Sequence, residues 1–83
     1  MTLIQGRVVD AEGRPVPLAP LVFVEHPGSV PDIAQLSGED GRFVLALGPG
    51  RYTLAARSDT AGSGQTSFEV KDAKEQSITI TLG

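Results

Sequence analysis

The sequence predicts an all-β fold: a seven-stranded antiparallel β-sandwich of Greek-key connectivity, with residues 1–83 forming one domain. Three observations point there. Apolar residues recur with period two in short runs, turn chemistry separates those runs at roughly 8–12-residue intervals, and no stretch carries a helical stripe. Composition agrees, because 10 glycines and 6 prolines in 83 residues suit tight turns between strands better than long helices.

The elements follow in order. Ile4, Gly6 and Val8 alternate with Gln5 and Arg7, giving a first strand over Leu3 to Val9. Asp10-Ala11-Glu12-Gly13 is a turn in which Gly13 can take positive φ. Pro15 and Pro17 donate nothing to a ladder and mark an entry or edge segment. A second strand is expected from Leu18 to Glu25, with Ala19, Leu21 and Phe23 on one face; Pro20 implies an edge position or a bulge near its start. The pattern breaks from His26 to Gln35, where Ile33 and Leu36 are assigned to a short third strand. Glu39-Asp40-Gly41 is a turn signal. Phe43, Leu45 and Leu47, then Gly48-Pro49-Gly50, then Tyr52, Leu54 and Ala56 read as a β-hairpin. Asp59 to Gly64 is a loop of small residues, Thr66, Phe68 and Val70 form a sixth run, Lys71 to Gln76 is a charged connection, and Ile78, Ile80 and Leu82 form the last strand. Common parity places Phe23, Phe43, Leu45, Tyr52, Leu54, Phe68, Ile78 and Ile80 in one core.

Charge and composition narrow the function. The net charge is −3, and the seven Lys and Arg are scattered, so no nucleic-acid partner is expected. No apolar stretch is long enough to insert into a membrane, and the N-terminus has no basic segment followed by an apolar one. An extracellular or cell-envelope setting follows if the chain is part of a larger exported protein, and a cytoplasmic one otherwise. With no cysteine, neither a disulfide nor a thiolate metal site supports the fold.

The motifs that carry chemistry elsewhere are incomplete. Ala61-Gly62-Ser63-Gly64-Gln65-Thr66-Ser67 has the glycines of a phosphate-binding loop's end, but Asp59 and Gln65 occupy the positions of the first Gly and the Lys. His26, Ser29 and Asp32 are the residue types of a hydrolytic triad, yet the prolines and glycine among them oppose convergence, and no oxyanion donors are in view. His26 is the only histidine, which rules out a multi-histidine metal site within the chain. Asp10, Glu12, Glu39, Asp40 and Asp59 lie beside glycines in turns without the spacing of a calcium loop. No catalytic residue, metal ligand or cofactor site is assigned.

The order of signals resembles the carboxypeptidase regulatory-like domain, a transthyretin-like, immunoglobulin-like sandwich. The residues that carry it are Ile4-Gln5-Gly6-Arg7-Val8-Val9-Asp10, Gly13-Arg14-Pro15-Val16, Ala19-Pro20-Leu21, Glu39-Asp40-Gly41-Arg42-Phe43-Val44-Leu45 and Leu47-Gly48-Pro49-Gly50-Arg51-Tyr52-Thr53-Leu54. Phe43 fills a core, and Tyr52 can bury its ring while its hydroxyl holds a backbone group, as in a tyrosine corner. The resemblance implies a non-catalytic accessory domain. The sequence departs from the pattern after Ala56, where such domains often carry a Gly-aromatic pair. Two chemistries found on this architecture are not expected. Self-crosslinking by an isopeptide bond needs a buried Lys, but Lys71 and Lys74 lie in a connection; the sequence also has no Asn partner. The hydroxyisourate-hydrolase branch uses several histidines and a Tyr-Arg-Gly-Ser ending, whereas this chain ends Thr79-Ile80-Thr81-Leu82-Gly83.

One feature points to an interface. Val22 and Val24 alternate with Leu21 and Phe23, Val44 and Ala46 with Phe43 and Leu45, and Thr53 and Ala55 flank Leu54. The second faces of these strands are therefore apolar where a water-facing sheet is usually polar; strand propensity is the competing reason for valines there. Were these side chains gathered on one surface, they would make a docking patch. The leading expectation is a protein-interaction, spacer or accessory module whose partner is another protein, a neighbouring domain or a second copy of itself. A free-standing structural subunit is the alternative. A carbohydrate- or ligand-binding module is less favoured because Phe23, Phe43, Tyr52 and Phe68 are all assigned to the core.

Overall fold

The computed structural model describes residues 2–26, 35–71 and 74–83. Its strands are β1 (Thr2–Val9), β2 (Pro20–Glu25), β3 (Gln35–Leu36), β4 (Arg42–Leu47), β5 (Gly50–Ser58), β6 (Gly62–Val70) and β7 (Glu75–Thr81), and no helix occurs among the described residues. They form a three-stranded sheet of order β4-β1-β7 facing a four-stranded sheet of order β3-β2-β5-β6, the expected sandwich. Every strand pair is antiparallel except β1 with β7, which run parallel. Period two fixes which side chains share a face but says nothing of strand direction.

The expected β4–β5 hairpin is not formed. β4 pairs with β1, while β5 pairs with β2 and β6 in the other sheet. Gly48-Pro49-Gly50 carries the chain across the sandwich, and Leu47 and Tyr52 pack in one cluster on either side of the crossing. A hairpin and a crossing both read as alternation, turn, alternation. The Tyr52 hydroxyl donates to the Gly48 carbonyl at 2.9 Å and ties the crossing at its bend, as expected of a tyrosine corner. The second strand also starts later than expected. Leu18 takes a left-handed φ of 53°, uncommon for a bulky residue, and its N–H donates to Gly38 O at 3.2 Å. The bulge lies between Phe23 and Glu25 rather than near Pro20. Leu36 forms β3 with Gln35, whereas Ile33 falls outside the described residues.

All eight expected core residues face inward. Phe43, Leu54 and Ile80 are buried with Val8, Val16, Leu21 and Leu82; Tyr52 is buried with Ile4, Leu47 and Val70. Phe23, Leu45, Phe68 and Ile78 pack against both clusters and join them. Tyr52 stacks on Phe68 at 5.8 Å between centroids and meets Phe23 at 5.7 Å. Gly6, opposite Phe43 in the ladder, has no side chain because the ring occupies that space: a Cβ there would lie 2.1 Å from Phe43 Cζ.

Side chains hold the connections. Buried Ser37 accepts the Ala19 N–H at 2.8 Å and donates to Val16 O at 3.1 Å, so one hydroxyl satisfies two backbone groups of the segment leading into β2. In the turn after β1, Asp10 Oδ1 accepts the N–H groups of Glu12 and Arg14, each at 2.9 Å. The Arg14 backbone N–H leads in holding the Asp10 carboxyl below its usual 3.8; partial desolvation opposes, while the Glu12 N–H and the Arg14 side chain assist. The flanks of the sandwich are stitched too. Gln35 Nε2 donates to Val44 O at 3.2 Å on one side; on the other, Gln76 Nε2 donates to Glu69 O at 2.7 Å and Gly83 N to Ser63 O at 3.1 Å.

Three outcomes test this construction. Phe43→Ala is expected to lower unfolding free energy by about 3–5 kcal/mol, read as a fall in the urea midpoint; an unchanged midpoint would contradict the ring's place in the core. Ser37→Ala is expected to cost about 1–3 kcal/mol, because Ala19 N–H and Val16 C=O lose a buried partner; a variant as stable as the parent would show that neither bond matters. For Asp10 the sign follows from linkage: a carboxyl held lower in the folded state contributes stability that is complete above about pH 4 and lost as pH falls through its folded pKa. Asp10→Asn keeps the accepting oxygen and is expected to flatten the acid limb of the stability–pH profile, whereas superposable profiles would count against it.

Candidate functional site

The six residues proposed for an interface do not share one surface. Val22, Val24, Thr53 and Ala55 lie on the outer side of the four-stranded sheet, where Val22 stands opposite Ala55. Val44 and Ala46 lie on the outer side of the three-stranded sheet, opposite Gln5 and Leu3. The sandwich core separates the two groups, so the condition for one shared surface is not met. Alternation assigns each valine to an outer face, but only strand pairing says which sheet the face belongs to.

On the four-stranded face, Val22 is 61% and Val24 59% exposed. Val24 sits within the irregularity between Phe23 and Glu25, where an extra residue bends the strand and increases its twist. Ala55 is half-buried. Thr53 is buried, with its hydroxyl 2.8 Å from that of Ser67, so it supports the face rather than offering a contact. The expected set lacks Leu36, which is 54% exposed and opposite Pro20 at this sheet's edge; no periodic run announces a two-residue strand. On the three-stranded face, Val44 is 56% exposed, and Leu3, also missing from the set, stands exposed opposite Ala46. Leu3 was legible, because it precedes inward Ile4.

The remaining candidate groups serve the turns. Asp10 and Glu12 lie between β1 and β2, Glu39 and Asp40 before β4, and Asp59 between β5 and β6. Asp40 Oδ1 accepts the Arg42 N–H at 3.0 Å, and Glu12 pairs with Arg14. Among the described residues, no three His, Cys, Asp or Glu side chains gather as a metal site would need. Of the His26-Ser29-Asp32 set, Ser29 and Asp32 lie outside the described residues, and His26 meets the Phe23 ring edge-on at 6.3 Å. The glycines of the loop-like 61–67 stretch have a structural reason: a Cβ on Gly64 would lie 2.1 Å from Thr81 O, and Gly62 takes a φ of 92°.

Comparison with known proteins places this geometry. No curated protein sequence matches the chain. Among solved structures, the Caf1A usher C-terminal domain superposes with a TM-score of 0.66 at 11% identity, covering 96% of this chain and 97% of that one. The 5-hydroxyisourate hydrolase of Klebsiella pneumoniae gives 0.67 at 15% identity, covering 99% and 84%. Both are transthyretin-like sandwiches, and at these identities the likeness is one of fold. Residues 3–83 match the model of the carboxypeptidase regulatory-like domain, and the chain belongs to that family.

Proposed function

We propose that this chain is a non-catalytic interaction module that docks a protein partner against the outer face of its four-stranded sheet. The observation that carries the reading is the pair of exposed valines on β2, Val22 and Val24, beside Ala55 and with Leu36 at the sheet edge. A face open to water normally alternates apolar with polar residues, and contiguous exposed apolar surface marks interaction sites. The usher domain supports the same direction: hydrophobic clusters on its surface are described as important for F1 antigen assembly.

Family membership supports the absence of catalysis, as does the use of the acids. Asp10 and Asp40 spend their oxygens on turn N–H groups. The hydrolase likeness contributes a fold without a site, since a fold hosts many functions. All four aromatic rings contribute to the core or pack against it, which leaves the carbohydrate-binding alternative without a stacking platform. The partner that requires least is a second copy meeting the same face, a symmetric arrangement in which each apolar surface covers the other.

Val22→Lys tests this reading. The side chain is exposed, so the unfolding free energy is expected to stay within about 0.5 kcal/mol of the parent, while association is lost because a buried unpaired charge is costly. Light scattering over a concentration series is expected to show the parent associating and Val22→Lys monomeric. Association that survives Val22→Lys, or a parent monomeric throughout, would overturn self-docking through this face.

A further inference from the structure

The outer side of the three-stranded sheet differs in chemistry. Register sets Arg42, Arg7 and Thr79 in one row across the strands and, two rows on, Ala46, Leu3 and Glu75. All six are exposed. Arg7 and Arg42 stand directly opposite one another, and like charges so placed destabilise a strand pair. This occurs in a chain whose net charge is −3. Among the described residues Arg7 makes no ion pair, and Arg42 has only Asp40, at 3.9 Å. Arg7 and Arg42 line a shallow, open depression together with Gln5, Gly6, Ser77, Ile78 and Thr79.

We propose that this face binds an acidic, extended segment of a partner protein, with a carboxylate seated between Arg7 and Arg42. Paired guanidinium groups present forked donors to a carboxylate, and such charge-assisted bonds are the strong ones. The hydroxyls of Ser77 and Thr79 and the Gln5 amide add neutral donors on the same depression. Four residues along the strands, about 13 Å away, Leu3 and Ala46 offer an apolar step for a second side chain of the segment. Glu75, in that second row, repels an acid there and so sets the segment's direction. Two arginines in an acidic chain would release too few counterions to hold a nucleic acid. This inference concerns the face opposite the valines of β2 and stands or falls separately from docking there.

The test titrates the isotope-labelled chain with a capped pentapeptide bearing glutamate first and leucine last, followed by NMR. Saturable shifts are expected at the Arg7 and Arg42 side-chain N–H groups and at the Gln5 and Ser77 amides, weakening with salt. R7Q/R42Q is expected to bind about tenfold more weakly with a denaturation midpoint equal to or above the parent's, because a like-charge pair has been removed. A peptide with glutamine in place of glutamate is expected to bind as weakly; this arm decides the matter on the parent alone should R7Q/R42Q fail to fold. The proposal is overturned by the absence of saturable shifts, by equal binding of the glutamine peptide or of R7Q/R42Q, or by tighter binding of single-stranded RNA or phosphatidylserine vesicles at the same arginines.

Discussion

The structure depends on the ring of Phe43 lying over Gly6. A three-stranded sheet is narrow, and with no cysteine to cross-link it its inner face must supply enough apolar volume to hold the opposite sheet. Phe43 supplies that volume from an edge strand by reaching across the ladder to the central one, into space that only glycine leaves open. The contact also fixes register. A one-residue slip of β4 against β1 would turn Phe43 to solvent and bring Val44 inward. Ile78 and Ile80 continue the same inner surface from β7, opposite Gly6 and Val8. Phe23, Tyr52 and Phe68 answer it from the other sheet.

An open sandwich has four edge strands, and unpaired edges invite pairing with other chains. Here the flanks are tied by side chains at inward positions. Gln35, in register with Leu21, reaches the β4 carbonyl of Val44; Gln76, in register with Ile4, reaches the β6 carbonyl of Glu69. Near the chain end the backbones approach until Gly83 bonds to Ser63, which is why Gly64 tolerates no Cβ. The β4 edge is further held where Gly38 N donates to Arg42 O at 2.8 Å. Among the described residues no buried side-chain N or O atom lacks a hydrogen-bond partner, as expected where polar groups at the margin of a core must be paired.

Much of this was legible because parity survives ignorance of topology. The eight inward residues follow from alternation alone, and Tyr52 from the chemistry of a buried phenol near a glycine turn. What parity cannot carry is the identity of the neighbour. The Gly48-Pro49-Gly50 bend reads the same whether the strands beside it pair or face each other. Val22 and Val44 read as one class of outward residue although the core lies between them. Leu18 reads as a strand residue because it heads an alternating run, whereas its left-handed φ and its bond to Gly38 O involve a segment twenty residues away in sequence. Ser37 gave no periodic signal, yet it holds two backbone groups that the prolines around Val16 leave without a ladder.

The register that sequence could not supply also makes the two outer faces chemically distinct. On β2 and β5, Val22 stands against Ala55, so apolar groups meet across the ladder, and the irregularity at Val24 keeps that strand from running flat. On β1 and β4, Arg7 stands against Arg42, a like-charge juxtaposition that does not favour the strand pair. Inner faces of a small sandwich have little freedom, because each residue must fit a packed interior. Outer faces carry no such demand, so an unfavourable pair there leaves the core undisturbed. Likeness of fold to an usher domain and to a hydrolase is compatible with this: the inner faces make the sandwich, and the outer faces are where members of one architecture are free to differ.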